Sequence, residues 1–221
     1  METVSHLRPL HPSEEFVHTI LAQEIGSSQI EPDKMLIFCE FMENYICYNI
    51  SENLYIQLSC WIERRLKEKK FSMYLKQRLI KIITRAISYM HIAELINKEY
   101  GIPKLFLEIS NFARFGSSAI KTEALLCLIE FVRVSIQEKV DLLVENNQLL
   151  EILIFALEIS FDLEIVYKIL EAIVTILSRN PKHVKIAKKY GLLNQATRYH
   201  SSEVIKLSSI SNIILEMFCD N

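Results

Sequence analysis

The sequence predicts an all-α protein built as a solenoid of short helical repeats. Three observations lead there. Half of the 221 residues are hydrophobic, yet there are only four Gly and five Pro, too few turn residues for an all-β domain. Apolar residues recur with a helical rather than an alternating period. A unit also returns about every 45 residues, which in a helical sequence marks a stacked array. Three stretches carry it: Tyr100-Gly101-Ile102-Pro103-Lys104-Leu105, Asn146-Asn147-Gln148-Leu149-Leu150-Glu151, and Tyr190-Gly191-Leu192-Leu193-Asn194-Gln195. Gly101 to Asn147 is 46 positions, and Asn147 to Gly191 is 44.

Residues 1–12 carry two prolines and little apolar patterning, so they are expected to form a loose arm before a single solenoid over 13–221. Ser13 reads as an N-cap ahead of Glu14 and Glu15, in a helix ending near Gly26. Pro32 and Asp33 open a helix from about Lys34 to Asn49. Ser51 and Asn53 cap the next, to about Lys69, and a further helix covers Ser72 to His91. The clearest repeats occupy 93–221, each with a short first helix leading into a second and a third. The best-defined unit has helices at 136–145, 148–159 and 163–178. Asn180-Pro181 reads as a cap with proline at the first helical position, and the last helix covers 202–218. Gly101, Gly116 and Gly191 fall at turns. The third helices align, Glu123 to Phe131 over Lys168 to Ile176. Their apolar stripe needs neighbouring repeats to cover it.

The charge balance of 25 basic and 27 acidic residues gives no reason to expect nucleic acid or an anionic membrane as partner. Leu149 to Phe161 is the most apolar window. Glu151 and Glu158 interrupt it, which argues against a membrane span. No secretory signal pattern opens the chain. The five cysteines, Cys39, Cys47, Cys60, Cys127 and Cys219, are odd in number and scattered. They read as reduced, mostly buried thiols of a cytoplasmic or nuclear protein.

The three-helix unit, with a Gly or Asn-Asn turn before its second helix, resembles the armadillo repeat. That implies a right-handed armadillo/HEAT-like solenoid of about four to five repeats. Within that group residues 99–220 look most like the C-terminal half of importin-α. Lys121-Thr122-Glu123-Ala124 is similar to the Gln-Lys-Glu-Ala opening of an importin-α third helix. Asp162-Leu163-Glu164-Ile165 with Ile169-Leu170-Glu171-Ala172-Ile173 resembles its penultimate third helix. Tyr190-Gly191-Leu192-Leu193, Ser202-Glu203-Val204-Ile205-Lys206-Leu207 and Phe218 resemble its last repeat. The resemblance implies a concave groove that grips an extended basic peptide with a Trp and, one turn later, an Asn on each third helix.

This chain departs from that pattern. The Trp positions hold Leu126 and Glu171, and the Asn positions hold Glu130 and Thr175. Lys81 and Arg85 occupy the same pair upstream, and Asn44, one turn after Glu40, retains the amide. The single Trp, Trp61, falls on a second helix as a packing residue. The family's Arg- and Lys-rich importin-β-binding segment has no counterpart in residues 1–30, which hold Arg8 and no lysine.

The candidate peptide-binding residues are therefore Asn44, Lys81, Arg85, Leu126, Glu130, Glu171 and Thr175. Glu130 and Glu171 would attract a basic peptide, or else are solvated helix positions. Lys81 and Arg85 favour acidic or phosphorylated ligands on their half of the face. The basic run Arg64, Arg65, Lys67, Lys69 and Lys70 reads as a solvated helix end rather than a localisation signal, because Glu63 and Glu68 interrupt it. Lys182, Lys185, Lys188 and Lys189 read the same way. His6, His11 and His18 lack metal-site spacing, and Cys39 and Cys47 read as packing residues. No phosphate loop, Cys-x-x-Cys or nucleophile elbow occurs. The expected role is non-enzymatic binding of a protein partner or extended peptide, without cofactor or metal, as a nuclear-import adaptor. The alternative is a scaffold subunit of a larger complex, using apolar surface of the last helix at Ile210, Ile213, Ile214, Met217 and Phe218.

Overall fold

The structure is a computed structural model that describes Thr19 and residues 32–46, 50–98, 103–160 and 162–219. The expected arm, the helix from Ser13 to Gly26 apart from Thr19, the three N-terminal histidines, Cys47 and Gly101 lie outside the described residues. Twelve helices follow in order: α1 (Pro32–Ile46), α2 (Glu52–Lys67), α3 (Met73–Ile87), α4 (Met90–Lys98), α5 (Lys104–Phe115), α6 (Ser118–Val134), α7 (Gln137–Asn147), α8 (Leu149–Ile159), α9 (Leu163–Arg179), α10 (His183–Lys189), α11 (Leu192–His200) and α12 (Ile205–Cys219). No strand occurs among the described residues.

Local chemistry sets several boundaries. Ser51 Oγ accepts from Leu54 N at 3.2 Å and so starts α2. Ser72 Oγ accepts from Leu75 N at 3.3 Å and starts α3. Asp162 Oδ1 accepts from Glu164 N at 2.9 Å and Ile165 N at 3.3 Å at the head of α9. Each bond satisfies a donor the first turn would otherwise leave orphaned. Gly116 ends α5. A Cβ there would sit 2.5 Å from the Phe112 carbonyl oxygen and 2.7 Å from Ile120, so the tight turn into α6 excludes any side chain.

Repeats α4–α6 and α10–α12 have a short first helix and two longer ones, whereas in α7–α9 the first helix is as long as the second; the pair α2–α3 and, ahead of it, α1 precede them. The third helices α1, α3, α6, α9 and α12 pack in sequence as one layer. The second helices α2, α5, α8 and α11 form the layer beside it, and the short helices wedge between them. Between the layers the buried side chains from Met35 to Phe218 form one connected cluster. Phe106 on α5 meets Phe131 on α6 with ring centroids 4.3 Å apart. Each such side chain stabilises the fold by roughly 1.5–3 kcal/mol through burial. Trp61 on α2 is 1 % exposed and packs edge-on against Phe38 at 5.1 Å, so it is a core residue.

Several expectations change. The helix expected over 72–91 is two helices. The chain turns at Ser88 and Tyr89, which lets α4 bury Ile92 and Ile96 while the Tyr89 hydroxyl donates to the Ile46 carbonyl at the end of α1. In the middle repeat α7 runs through Asn147, and the left-handed residue is Gln148 (φ 56°), the counterpart of Gly191 (φ 80°). Asn180 and Pro181 do not open the helix as expected: α10 starts only at His183 with Lys182 at its N-cap, and Asn180 Oδ1 instead accepts from Lys182 N at 3.2 Å in the turn before it. Cys39 and Cys127 are buried, whereas Cys60 and Cys219 are exposed. Burial pushes the Cys39 and Cys127 thiols up to about 12, so neither is a thiolate near neutral pH.

Polar ties between repeats hold the stacking register. Arg179 on α9 donates to the Val132 carbonyl at 3.2 Å and the Ser135 carbonyl at 2.9 Å, at the end of α6. His183, 2 % exposed, meets Asp141 at 2.6 Å, and Asn180 donates to the same carboxylate at 2.9 Å. Burial pushes the Asp141 carboxyl up, but hydrogen bonds from His183, Asn180 and Gln137 outweigh it and hold the group below its ordinary value.

Candidate peptide-binding face

An apolar stripe buried on one side of each third helix leaves the opposite side toward solvent. All seven candidate residues lie on third helices: Asn44 on α1, Lys81 and Arg85 on α3, Leu126 and Glu130 on α6, Glu171 and Thr175 on α9. None is buried. They fall into two groups with different surroundings.

In the α1–α3 group the organising residue is Glu43, which the sequence reading passed over. It sits on the inner side of α1, 7 % exposed. A buried carboxylate needs compensating charge, and α3 supplies three cations. Arg78 Nε lies 2.5 Å from Glu43 Oε1. Lys81 Nζ and Arg85 Nη1 each lie 3.7 Å from Oε2. Arg85 also donates to the Glu43 carbonyl at 3.0 Å. The Arg78 contact is a charge pair rather than a directed hydrogen bond, since its N–H is not aligned on the oxygen. Asn44, next to Glu43, is exposed. The spacing 78, 81, 85 is a helical i, i+3, i+7 pattern that places three cations on one face, so this cluster left a trace in the sequence. Its buried carboxylate did not.

In the α6–α9 group a cavity of about 140 Å³ opens between the two helices. Ile129, Val132 and Ala172 form its apolar part, and Arg133, Lys168, Glu171 and Thr175 its polar rim. Glu171 and Thr175 thus share one site. Glu130 does not offer a free charge to it, because Arg133 on the same helix holds its carboxylate, with Nε 2.9 Å from Oε2. Lys168 pairs with Glu164 at 2.8 Å. Glu171 is exposed, and no ion pair or hydrogen bond among the described residues engages its carboxylate. The Thr175 hydroxyl is turned back to the Glu171 carbonyl at 2.8 Å. Leu126 is half-buried and does not line the cavity. Ile129, Arg133 and Lys168 were missed because their role depends on which helices become neighbours.

In the basic run at the end of α2, three cations pair with neighbouring acids. Arg65 is buried and pairs with Glu68 at 2.7 Å. Lys67 pairs with Glu63 at 2.7 Å and Glu108 at 3.5 Å, and Lys70 with Glu68 at 3.2 Å. Two further cavities, of about 240 and 210 Å³, share Glu151 and Tyr190. Their lining comes from α7, α8, α10 and the turn after α10, outside the third-helix face, and Arg114 already pairs with Glu151 at 2.5 Å. No cluster of three or more metal-ligating residues occurs among the described residues, and no helix there is long and apolar enough to cross a membrane.

No protein-family model matches the sequence, and no curated protein matches it. Solved structures match in fold. An engineered protein aligns with TM-score 0.67 at 12% identity, over 96% of this chain and 88% of its own. A computationally designed armadillo repeat protein for modular peptide recognition aligns with TM-score 0.60 at 12% identity, over 93% of this chain and 77% of its own. A designed armadillo repeat protein in complex with the peptide (KR)4 aligns with TM-score 0.58 at 14% identity, over 95% of each chain. Likeness at this identity speaks for architecture alone: the chain has the fold of an all-α, armadillo-like repeat solenoid.

Proposed function

We propose that this chain is a non-enzymatic binding module that holds an extended segment of a partner protein along its third-helix face, as an importin-α-like adaptor of nuclear import does. The observation that carries the reading is the α6–α9 cavity, where Glu171 stands beside an apolar floor. A lysine or arginine stem can lie on that floor while its charged end meets the carboxylate. Curved repeat arrays present such faces as long concave surfaces. Two of the designed proteins similar in fold support it, one made for modular peptide recognition and one in complex with (KR)4. The test is binding of the purified protein to a lysine-rich nuclear-localisation peptide and to an acidic control, at low and near-physiological salt. Selective binding to the basic peptide that Glu171→Lys weakens roughly fivefold or more is expected. Equal binding of both peptides, or a variant that binds as wild type does, defeats the reading.

A second reading, a scaffold subunit, rests on a different surface. Of the apolar residues named on the final helix, Ile210, Ile214 and Phe218 are buried, Met217 is half-buried and Ile213 is exposed, so that helix alone offers little free apolar surface. Exposed apolar side chains instead recur at successive turns between second and third helices: Tyr74 (53 %), Phe115 (77 %), Leu163 (50 %) and Ile205 (80 %). Such a row suits contact with another protein. A stoichiometric complex that Phe115→Ser plus Ile205→Ser dissolves, with peptide binding intact, would favour it.

A further inference from the structure

The exposed apolar row has a regular spacing and a graded charge. Tyr74, Phe115, Leu163 and Ile205 stand at the junctions α2–α3, α5–α6, α8–α9 and α11–α12. All but the α5–α6 junction add a second exposed apolar side chain, respectively Met73, Ile159 and Val204. Because α3, α6, α9 and α12 pack side by side in that order, the junctions follow one another along one edge of the array. Packed helices lie about 8–10 Å apart, so four anchors on successive helices span roughly 24–30 Å. That interval selects the shape of an occupant. A helix brings every seventh residue back to nearly the same face after about 10.5 Å. An extended strand repeats a face every second residue, at about 6.6 Å and then about 13 Å, and misses the interval. Charge also changes along the edge. Lys69 and Lys70 precede Tyr74, and although Lys70 pairs with Glu68, no acid among the described residues engages Lys69. Asp162 and Glu164 flank Leu163, and only Glu164 has a cationic partner, Lys168.

We propose that this edge docks an amphipathic α-helix of a partner protein, with one apolar anchor per heptad over about three heptads. The partner helix carries acidic residues beside the anchor that meets Tyr74 and basic residues beside the anchor that meets Leu163. The proposal rests on the scaffold reading of this row and supplies the form and charge of what covers it. Apolar anchors in line give such a helix its affinity. Opposite charges at two of the anchors fix its register and direction. The acids beside Leu163 also disfavour an anionic bilayer as the occupant of the same edge.

The probe is a fluorescent synthetic peptide of about 25 residues on an Ala/Gln helical frame. It carries leucine at every seventh position, glutamates beside the first leucine and lysines beside the third. One control has the same composition with its leucines spread around the helix. A second sets leucines at alternate positions of an extended Thr-rich frame. Binding to the full chain is read by anisotropy at near-physiological salt. The heptad peptide should bind saturably and the scrambled one far more weakly. Phe115→Ser should weaken binding roughly fivefold or more, and Ile205→Ser should add to the loss. These side chains are 77 % and 80 % exposed, so both variants should fold as the wild type does, which circular dichroism checks. Glu171→Lys should leave binding unchanged. A benzophenone crosslinker placed at Phe115 or at Ile205 should reach peptide positions roughly 14 residues apart, two heptads for two junctions. Equal binding of the scrambled peptide, or binding indifferent to both serine variants, overturns the assignment. Preference for the extended control, with links about six residues apart, overturns the helix and keeps the row as a protein-binding edge. Binding of no peptide also overturns it, and the scaffold reading is then decided by its own complex. Phosphatidylserine vesicles held through Phe115 in place of the peptides would give the edge to a membrane and overturn the assignment.

Discussion

The two halves of the third-helix face use charge in opposite ways. At α1–α3 a carboxylate is sunk into the fold and pulls three cations around it. At α6–α9 the carboxylates stay on the surface, Glu130 paired along its own helix and Glu171 facing solvent beside a cavity. Charge in the first half both holds neighbouring repeats together and remains partly presented. In the second half, stacking is left to apolar side chains and to ties at the helix ends, and charge is available for a ligand. The difference follows from where each group sits relative to water. A buried ion must be compensated by the protein, while an exposed one is compensated by solvent.

The comparison is tested most severely by a variant that should affect both halves. Phe131→Ala removes a fully buried ring that packs on Phe106 at 4.3 Å and should cost about 3–5 kcal/mol. Because the buried cluster is continuous from Met35 to Phe218, urea unfolding should remain one transition at lower midpoint. Two separated transitions would mean that the halves are independent bodies. Glu43→Gln comes next. It leaves three cations gathered without their carboxylate and should destabilise by about 2 kcal/mol, below the value for a fully buried pair because Lys81 and Arg85 are more than a third exposed. Hydrogen exchange should quicken in α1 and α3 before α9, and uniform quickening would contradict the local role assigned to Glu43.

Asp141→Asn probes the other half and should cost about 1–2 kcal/mol at neutral pH. The folded carboxyl is held below its unfolded value of 3.8. Its contribution is therefore complete above that value and is lost as pH falls through the folded one. The gap between wild type and variant, measured by denaturation across acid pH, should narrow downward. A gap independent of pH would remove the ionic character of the tie. Gly191→Ala should cost about 1 kcal/mol in thermal unfolding, from left-handed strain alone, since a Cβ there meets nothing within 4 Å. The smallest effect belongs to Glu171→Gln, below about 0.5 kcal/mol. A larger loss of stability would mean that Glu171 serves the fold rather than a ligand.

Much of this architecture could be read before any coordinates. The middle repeat was expected at 136–145, 148–159 and 163–178, and α7, α8 and α9 fall within two residues of those limits. The cap read at Ser51 acts through a short-range bond to a residue three positions on; Asn53, read with it, lies inside the helix, and Ser72 and Asp162 cap by the same local chemistry without having been read as caps. The break at Ser88 was not legible, because the periodicity runs on through it and the partners of Tyr89 and His91 are the Ile46 and Ile50 carbonyls, some forty positions earlier. The left-handed turn was legible at Gly191, where the residue type announces it. It was displaced by one at Gln148, where a side chain tolerates the conformation and bonds to Arg114.

For the candidate face, Asn44, Lys81, Arg85, Leu126, Glu130, Glu171 and Thr175 were picked out through the resemblance to importin-α, and all seven fall on third helices. The sequence could not separate the charges engaged by the fold from those facing solvent. Helical period, capping residues and repeat length are local properties, and the sequence by itself determined them. Which helix faces which neighbour is decided only when repeats stack. That stacking alone gathered Arg78, Lys81 and Arg85 around Glu43 and opened the cavity at Glu171. The physical reason is that an ion's role depends on its distance to other charges and to water, and both are set by residues far away in the chain.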